Sequence, residues 1–178
     1  MRTAIYPGTF DPITNGHLDI ARRAGHLFDK VIIVVVDNVQ KHPLFSVEQR
    51  KALIREAVRE LDVEQIEVDS YKGLTVEYAR SVGAVAIVRG LRVLTDFEWE
   101  FQLALINDRL APEIETVCLM TAQENSFLSA SVVRDLAQYG SPALADLVPP
   151  HVAAALAEVY GRAAGALLDK NLSSQERG

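Results

Sequence analysis

Between Tyr6 and His17 the chain reads Tyr-Pro-Gly-Thr-Phe-Asp-Pro-Ile-Thr-Asn-Gly-His, a set of residues able to hold a phosphate. Gly8 permits a turn or a close backbone approach, and Pro7 and Pro12 stiffen the loop. Thr14 has the side chain of an N-cap, which would place His17 in the first turn of a helix. There the helix dipole and the free backbone N–H groups favour an anion, and an imidazole N–H can donate to it. Taken alone, Thr-x-Gly-His is better read as a capping turn with a surface histidine, because short motifs recur by chance.

Three further clusters share that character. Lys41 follows an apolar run, in a loop stiffened by Pro43, where a cation could be aimed at phosphate. Arg89 and Arg92 flank Gly90-Leu91 after another apolar run. An arginine keeps its charge and needs a partner if buried, and a polyanionic ligand would supply one. The stretch Asn125-Ser-Phe-Leu-Ser-Ala-Ser-Val-Val-Arg134 offers hydroxyls and free N–H groups at a helix start, a nest suited to β- and γ-phosphates. Each has a plainer reading as well: a solvated lysine, an exposed arginine pair, a serine-capped helix.

These clusters need elements to position them, and the chain alternates short β-branched runs with amphipathic segments. Strands are expected at Thr3 to Tyr6, Val31 to Val36, Ile66 to Tyr71, Val85 to Val88 and Thr116 to Met120. Helices are expected from His17 to Phe28, Ser131 to Tyr139 and Val152 to Leu168, the last after the start signal Pro149-Pro150. Ser46-Val-Glu-Gln49 and Thr95-Asp-Phe-Glu98 read as capping boxes opening two more, and Gly73-Leu-Thr-Val76 begins another. The alternation predicts an α/β fold, a doubly wound five-stranded parallel sheet of Rossmann-like type with C-terminal helices. Ligands in such a sheet sit beyond the carboxyl ends of the strands, where each cluster falls.

Composition sets bounds. A length of 178 residues, 49% apolar and 24% charged, fits one soluble domain, here taken as 1–160 with an extension and frayed tail at 161–178. The net charge of −6 argues against a general nucleic-acid or membrane-surface binder. No apolar run is long enough to span a bilayer, and no signal-peptide pattern opens the chain, so a cytoplasmic location is expected. Cys118, in the apolar run Glu115 to Met120, reads as a buried structural thiol. No cluster of His, Cys and carboxylates has metal-ligand spacing.

The Thr-Asn-Gly-His motif preceded by Pro-Gly-Thr-Phe-Asp-Pro resembles the (H/T)xGH nucleotidyltransferase superfamily, and the full stretch resembles phosphopantetheine adenylyltransferases. Arg-Gly-Leu-Arg with Asp-Phe-Glu-Trp-Glu, the Lys-x-Pro-x-Phe spacing after Lys41, and Leu128-Ser-Ala-Ser-Val-Val-Arg134 match further motifs of that family, in order, over Met1 to Leu156. The last departs from Ile-Ser-Ser-Ser-x-x-Arg at Leu128 and at Ala130, which lacks a hydroxyl.

The resemblance implies transfer of AMP from ATP to 4′-phosphopantetheine, with magnesium arriving on the ATP phosphates and a homohexamer as the assembly. It implies catalytic roles for Thr9, His17, Lys41 and Arg92, with His17 stabilising charge on the transferred α-phosphoryl group. Thr9, Lys41, Leu74, Thr75 and Arg89 would bind the acceptor. Thr9, Phe10, His17, Gly90, Leu91, Arg92, Glu100 and Asn125-Ser126-Phe127-Leu128-Ser129-Ala130-Ser131 would bind the nucleotide. Phe97, Trp99 and Phe101 are expected to pack instead of stacking on a base. The alternatives are an enzyme using nicotinate mononucleotide or glycerol phosphate, a silent nucleotide-binding module, or a flavodoxin-like protein. The loop after the first strand has the wrong composition for the last.

Overall fold

A computed structural model describes residues 1–37, 42–92 and 94–161, with side chains for all of these except 94–96. Lys41, Val93 and the stretch 162–178 lie outside the described residues. Five strands, β1 (Thr3–Gly8), β2 (Lys30–Val36), β3 (Ile66–Tyr71), β4 (Ala86–Leu91) and β5 (Glu115–Met120), form one parallel sheet in the order β3-β2-β1-β4-β5. The sequence order reverses between β1 and β4, so this pair forms the switch point. Helices α1 (Asn15–Leu27), α2 (Val47–Val58), α3 (Thr75–Ser81), α4 (Leu94–Leu110), α5 (Ala130–Gln138) and α6 (150–161 as described) cover the sheet.

The inner strands β1, β2 and β4 are buried over most of their length because both faces are covered, whereas the edge strands β3 and β5 are only partly buried. On one face Ala4, Tyr6, Val31, Ile33, Val35, Ala86 and Val88 pack with residues of α1, α2, α5 and α6, among them Ile20, Ile54, Val133 and Leu156. On the other, Ile5, Ile32, Val34 and Ile87 pack with Val76 and Ala79 of α3 and with Ala111 and Ile114 after α4. This is the doubly wound arrangement that the apolar runs predicted. The close approach of α1 to the segment before β3 depends on Gly25, where an added Cβ would stand 2.3 Å from Val63 Cγ1. Gly25→Ala should therefore destabilise the protein by about 1–3 kcal/mol in urea unfolding, with Val63→Ala recovering part of the loss.

β1 is shared unequally by its neighbours. It pairs with β2 from Thr3 to Gly8, but with β4 only at Ala4↔Ala86 and Ile5↔Ile87. Beyond those two pairs β1 and β4 diverge, and a crevice opens between their carboxyl ends. β4 runs to Leu91, so Arg89, Gly90 and Leu91 lie inside the strand and not after it as the apolar run suggested. Continued pairing with β5, through Arg89↔Cys118, Gly90↔Leu119 and Leu91↔Met120, carries the strand past the end of its apolar stretch.

Three other expectations are corrected. α4 begins at Leu94, so Thr95 stands inside the helix instead of capping it. Cys118 is exposed, because β5 is an edge strand. Val117 and Leu119 turn to the larger core, leaving Cys118 and Met120 on the opposite, thinly covered face. Phe97, Trp99 and Phe101 lie outside the core, with the Phe97 and Phe101 rings stacked on each other at 5.8 Å. They are 53%, 62% and 53% exposed, and with Leu105, Ile106 and Leu110 they give α4 an apolar outer surface.

Candidate active site

The crevice between β1 and β4 is a cleft of about 510 Å³ built from the segments that leave the two strands and from the starts of α1 and α5. β1 ends at Gly8, where a Cβ would meet the Phe10 ring at 2.8 Å, so the turn admits only a bare backbone. Phe10 adopts a left-handed conformation (φ 47°), unusual for a residue with a side chain. Its buried ring is held edge-on against Tyr6 and His17, with centroids 5.3 and 5.1 Å apart. The packing thus fixes the loop and one side of the histidine together.

Thr14 caps α1 as its residue type indicated, and His17 completes the cap. The His17 backbone N–H donates to Thr14 Oγ1 (3.4 Å), and the Thr14 backbone N–H donates to His17 Nδ1 (3.1 Å). Thr14 Oγ1 also lies 2.9 Å from Nδ1. A nitrogen that accepts from a backbone N–H carries no proton, so the neutral ring bears its proton on Nε2. Burial, and next the charge of Arg92, lower the His17 pKa to about 4. At neutral pH the ring is a fixed, uncharged Nε2–H donor.

Two helix N-termini reach the same cleft. Gly16 and His17 of α1 line one side, and Ser129, Ala130 and Ser131 at the start of α5 line the other. Ser129 Oγ accepts from the Val132 backbone N–H (3.2 Å), so its hydroxyl serves as the cap. Arg92 Nη1 donates to the Leu128 carbonyl (3.1 Å), tying the end of β4 to the turn before α5. The result is a cleft wall of N–H dipoles and guanidinium groups, with a sign that suits a polyphosphate.

Arg89 occupies the wall between this cleft and a narrower pocket of about 60 Å³ lined by Thr75, Leu103, Asn107 and Thr116. Its partner is protein. Nε and Nη2 donate to the two oxygens of Glu100 (2.7 and 2.6 Å), and Nη1 donates to the Pro7 carbonyl (3.1 Å). The expectation that a ligand would supply the counter-charge is thus corrected by Glu100, which α4 brings back to β4 from eleven residues away.

The cleft gathers Thr9, Phe10, His17, Arg89, Gly90, Arg92, Glu100, Asn125, Leu128, Ser129, Ala130 and Ser131 of the expected residues. Thr75 lines the narrower pocket, while Leu74, half exposed at the cap of α3, lines neither. Leu91, buried, and Ser126 and Phe127, in a turn, are also outside both linings. The lining also includes Asp11, to which no role was assigned from sequence, and Arg134, singled out only as part of the Asn125–Arg134 stretch. The buried Asp11 carboxylate accepts from the backbone N–H groups of Leu44 (2.8 Å) and Phe45 (2.9 Å), and Arg134 Nη1 donates to the Asp11 carbonyl. An aspartate after an apolar strand and a motif arginine were both visible in sequence, but their partners lie 33 and 123 residues away.

Among the described residues no group of three or more His, Cys, Asp or Glu is placed to hold a metal. Both carboxylates of the cleft, Asp11 and Glu100, are engaged by N–H donors. Among the same residues no helix is long and apolar enough to cross a membrane.

A family model described as cytidylyltransferase-like matches residues 5–136. A phosphopantetheine adenylyltransferase of Caldanaerobacter subterraneus subsp. tengcongensis is 49% identical over 160 residues, spanning 90% of this chain and 98% of its own length. One from a Roseiflexus species is 52% identical over 162 residues, spanning 91% and 99%. Among solved structures, a nicotinic acid mononucleotide adenylyltransferase of Plasmodium falciparum superposes with a TM-score of 0.68 over 88% of this chain and 95% of its own, at 12% identity. That likeness shows the fold alone. With relatives near half identity over nine-tenths of its length, the chain belongs to the phosphopantetheine adenylyltransferase family of cytidylyltransferase-like proteins.

Proposed function

We propose that this chain transfers the adenylyl group of ATP to 4′-phosphopantetheine, giving dephospho-coenzyme A and pyrophosphate. The observation that carries the reading is the neutral Nε2–H donor of His17 held between two helix N-termini in one cleft. An oxygen of the acceptor phosphate attacks the α-phosphorus in line, the bond to the bridging oxygen of the β-phosphate breaks, and pyrophosphate leaves with that electron pair. A phosphate nucleophile is already ionised near neutral pH, so no general base is required. The catalytic contribution is positioning and stabilisation of charge on the transferred group.

Residue roles follow the same division. His17 and Thr9 serve the α-phosphoryl group, and Arg92 with the α5 start serves the β- and γ-phosphates. Arg89, Thr75 and the narrower pocket serve the acceptor, with Lys41 directed at its phosphate. Magnesium enters as part of the ATP substrate, in keeping with carboxylates already engaged by protein donors. The apolar outer surface of α4 supports a homo-oligomer, and the family resemblance suggests a hexamer. A cytoplasmic site of action fits a reaction on soluble phosphorylated substrates.

The test is pyrophosphate release from ATP with 4′-phosphopantetheine, with nicotinate mononucleotide and glycerol 3-phosphate as parallel acceptors. Turnover with 4′-phosphopantetheine alone is expected. Turnover only with another acceptor would replace the named substrate, and none with any would remove the enzymatic reading.

A further inference from the structure

Among the described residues Arg50 is the largest fully buried side chain, 1% exposed, in the first turn of α2. Both circumstances are unfavourable. A guanidinium loses its hydration on burial, and a cation at a helix start opposes the dipole. Among the described residues its partners are two main-chain carbonyls: Nε donates to Phe45 O (3.1 Å) and Nη1 donates to Thr9 O (2.7 Å). An apolar side chain of similar volume would fill the same space at lower cost. Positions that break local rules in this way are expected to serve a site.

The same dipeptide is gripped from its other side. Asp11, 4% exposed, accepts from the N–H groups of Leu44 and Phe45, one with each carboxylate oxygen. Two buried side chains of opposite charge thus fasten the backbone at Leu44–Phe45 to the loop of Thr9 and Asp11. That loop and the adjoining His42-Pro43 line one wall of the cleft.

We infer that Arg50 is a positioning residue for the transfer reaction: with Asp11 it clamps the Leu44–Phe45 backbone to the Thr9 carbonyl, fixing the two loops of that wall in one register. The inference rests on the adenylyl-transfer reading. In-line attack requires the reacting groups at near-contact distance, and a displacement of about 1 Å can cost about 100-fold in rate. A lysine keeps the charge but presents one ammonium, which cannot hold both carbonyls in the fixed geometry of a planar fork.

Full-length Arg50→Lys, Asp11→Asn and the double variant should be compared with wild type by thermal unfolding, by calorimetric ATP binding without acceptor, and by steady-state pyrophosphate release. Arg50→Lys is expected to lower kcat at least about 10-fold while changing ATP affinity less than about 3-fold. Asp11→Asn should lower kcat similarly, and the double variant should lose little more than either single one, because both act on one dipeptide. Normal kcat per folded molecule in Arg50→Lys, or kcat losses that multiply in the double variant, would overturn the clamp. Should Arg50→Lys fail to fold, Asp11→Asn with normal kcat would overturn it equally. Wild-type turnover is measured first. If it occurs only with a different acceptor, the named substrate fails, and the same comparison on that acceptor still decides the role of Arg50.

Discussion

Replacing His17 with alanine is expected to lower kcat by about 100- to 1000-fold while moving ATP affinity only a few-fold, because a donor aimed at developing charge acts mainly in the transition state. The half-buried ring is held by the Thr14 cap and the Phe10 edge, so its Nε2–H does not reorganise when charge appears. His17→Asn separates this from stability: the shorter amide oxygen can still accept from the Thr14 N–H, but it cannot reach where Nε2 stood. Turnover should fall as far as in the alanine variant, with a smaller loss of melting temperature. A near-normal kcat in either would remove His17 from the chemistry.

The pH dependence follows from the lowered pKa. In the unfolded chain the imidazole protonates near 6.5, and in the folded protein near 4. The unfolded state therefore binds more protons between those values, and the contribution of His17 to stability is present above about pH 6.5 and lost as pH falls toward 4. Above pH 6.5 the ring does not change charge in the folded protein, so kcat should show no histidine step between pH 6 and 9. A rise or fall of kcat centred near 6.5 that disappears in His17→Asn would mean the ring works as an acid or a base.

The largest stability effect is expected from Glu100→Ala. Glu100 and Arg89 form a two-pronged ion pair with side chains 11% and 26% exposed, which fastens α4 to β4. Deleting one partner leaves a charge in a place organised for two, at a cost of about 3 kcal/mol. For a chain of this size the melting temperature should fall by about 6–12 °C. The pair Arg89→Met with Glu100→Leu should regain most of that stability without regaining turnover. The roles proposed for Arg89 on the acceptor side and Glu100 on the nucleotide side are then not independent, since either substitution frees the other from its fixed orientation. If Glu100→Ala melts like wild type, the ion pair does not hold α4. If the apolar pair restores turnover as well, the pair serves architecture alone.

Much of this fold and site was legible in the residues. Apolar runs such as Val31 to Val36 have the pattern of strands covered on both faces, and the hydroxyl of Thr14 announces the helix start that orients His17. Ser46 and Gln49 form the expected capping box. Legibility ended where a property depends on distant chain. Arg89 looked like a cation awaiting a ligand because nothing nearby signals Glu100 as its partner. Cys118 and Trp99 carry apolar signatures, but edge position for one and an uncovered helix face for the other are facts of assembly. Arg50 was invisible for the opposite reason, since a basic residue in an amphipathic pattern reads as a solvent-facing one.

The ladder between β1 and β4 that stops after Ala4↔Ala86 and Ile5↔Ile87 has a mechanical consequence. The central strand is anchored on both sides at its entrance and on one side at its exit, like a zip fastened only at the bottom. Breathing of the sheet is thereby confined to the end where Gly8 and Gly90 face the cleft, and the core below need not move with it. A ligand bridging those two exits would take the place of the absent pairs. Part of its binding free energy would then go into stiffening the strand ends, and the reacting groups would inherit that stiffness when they meet.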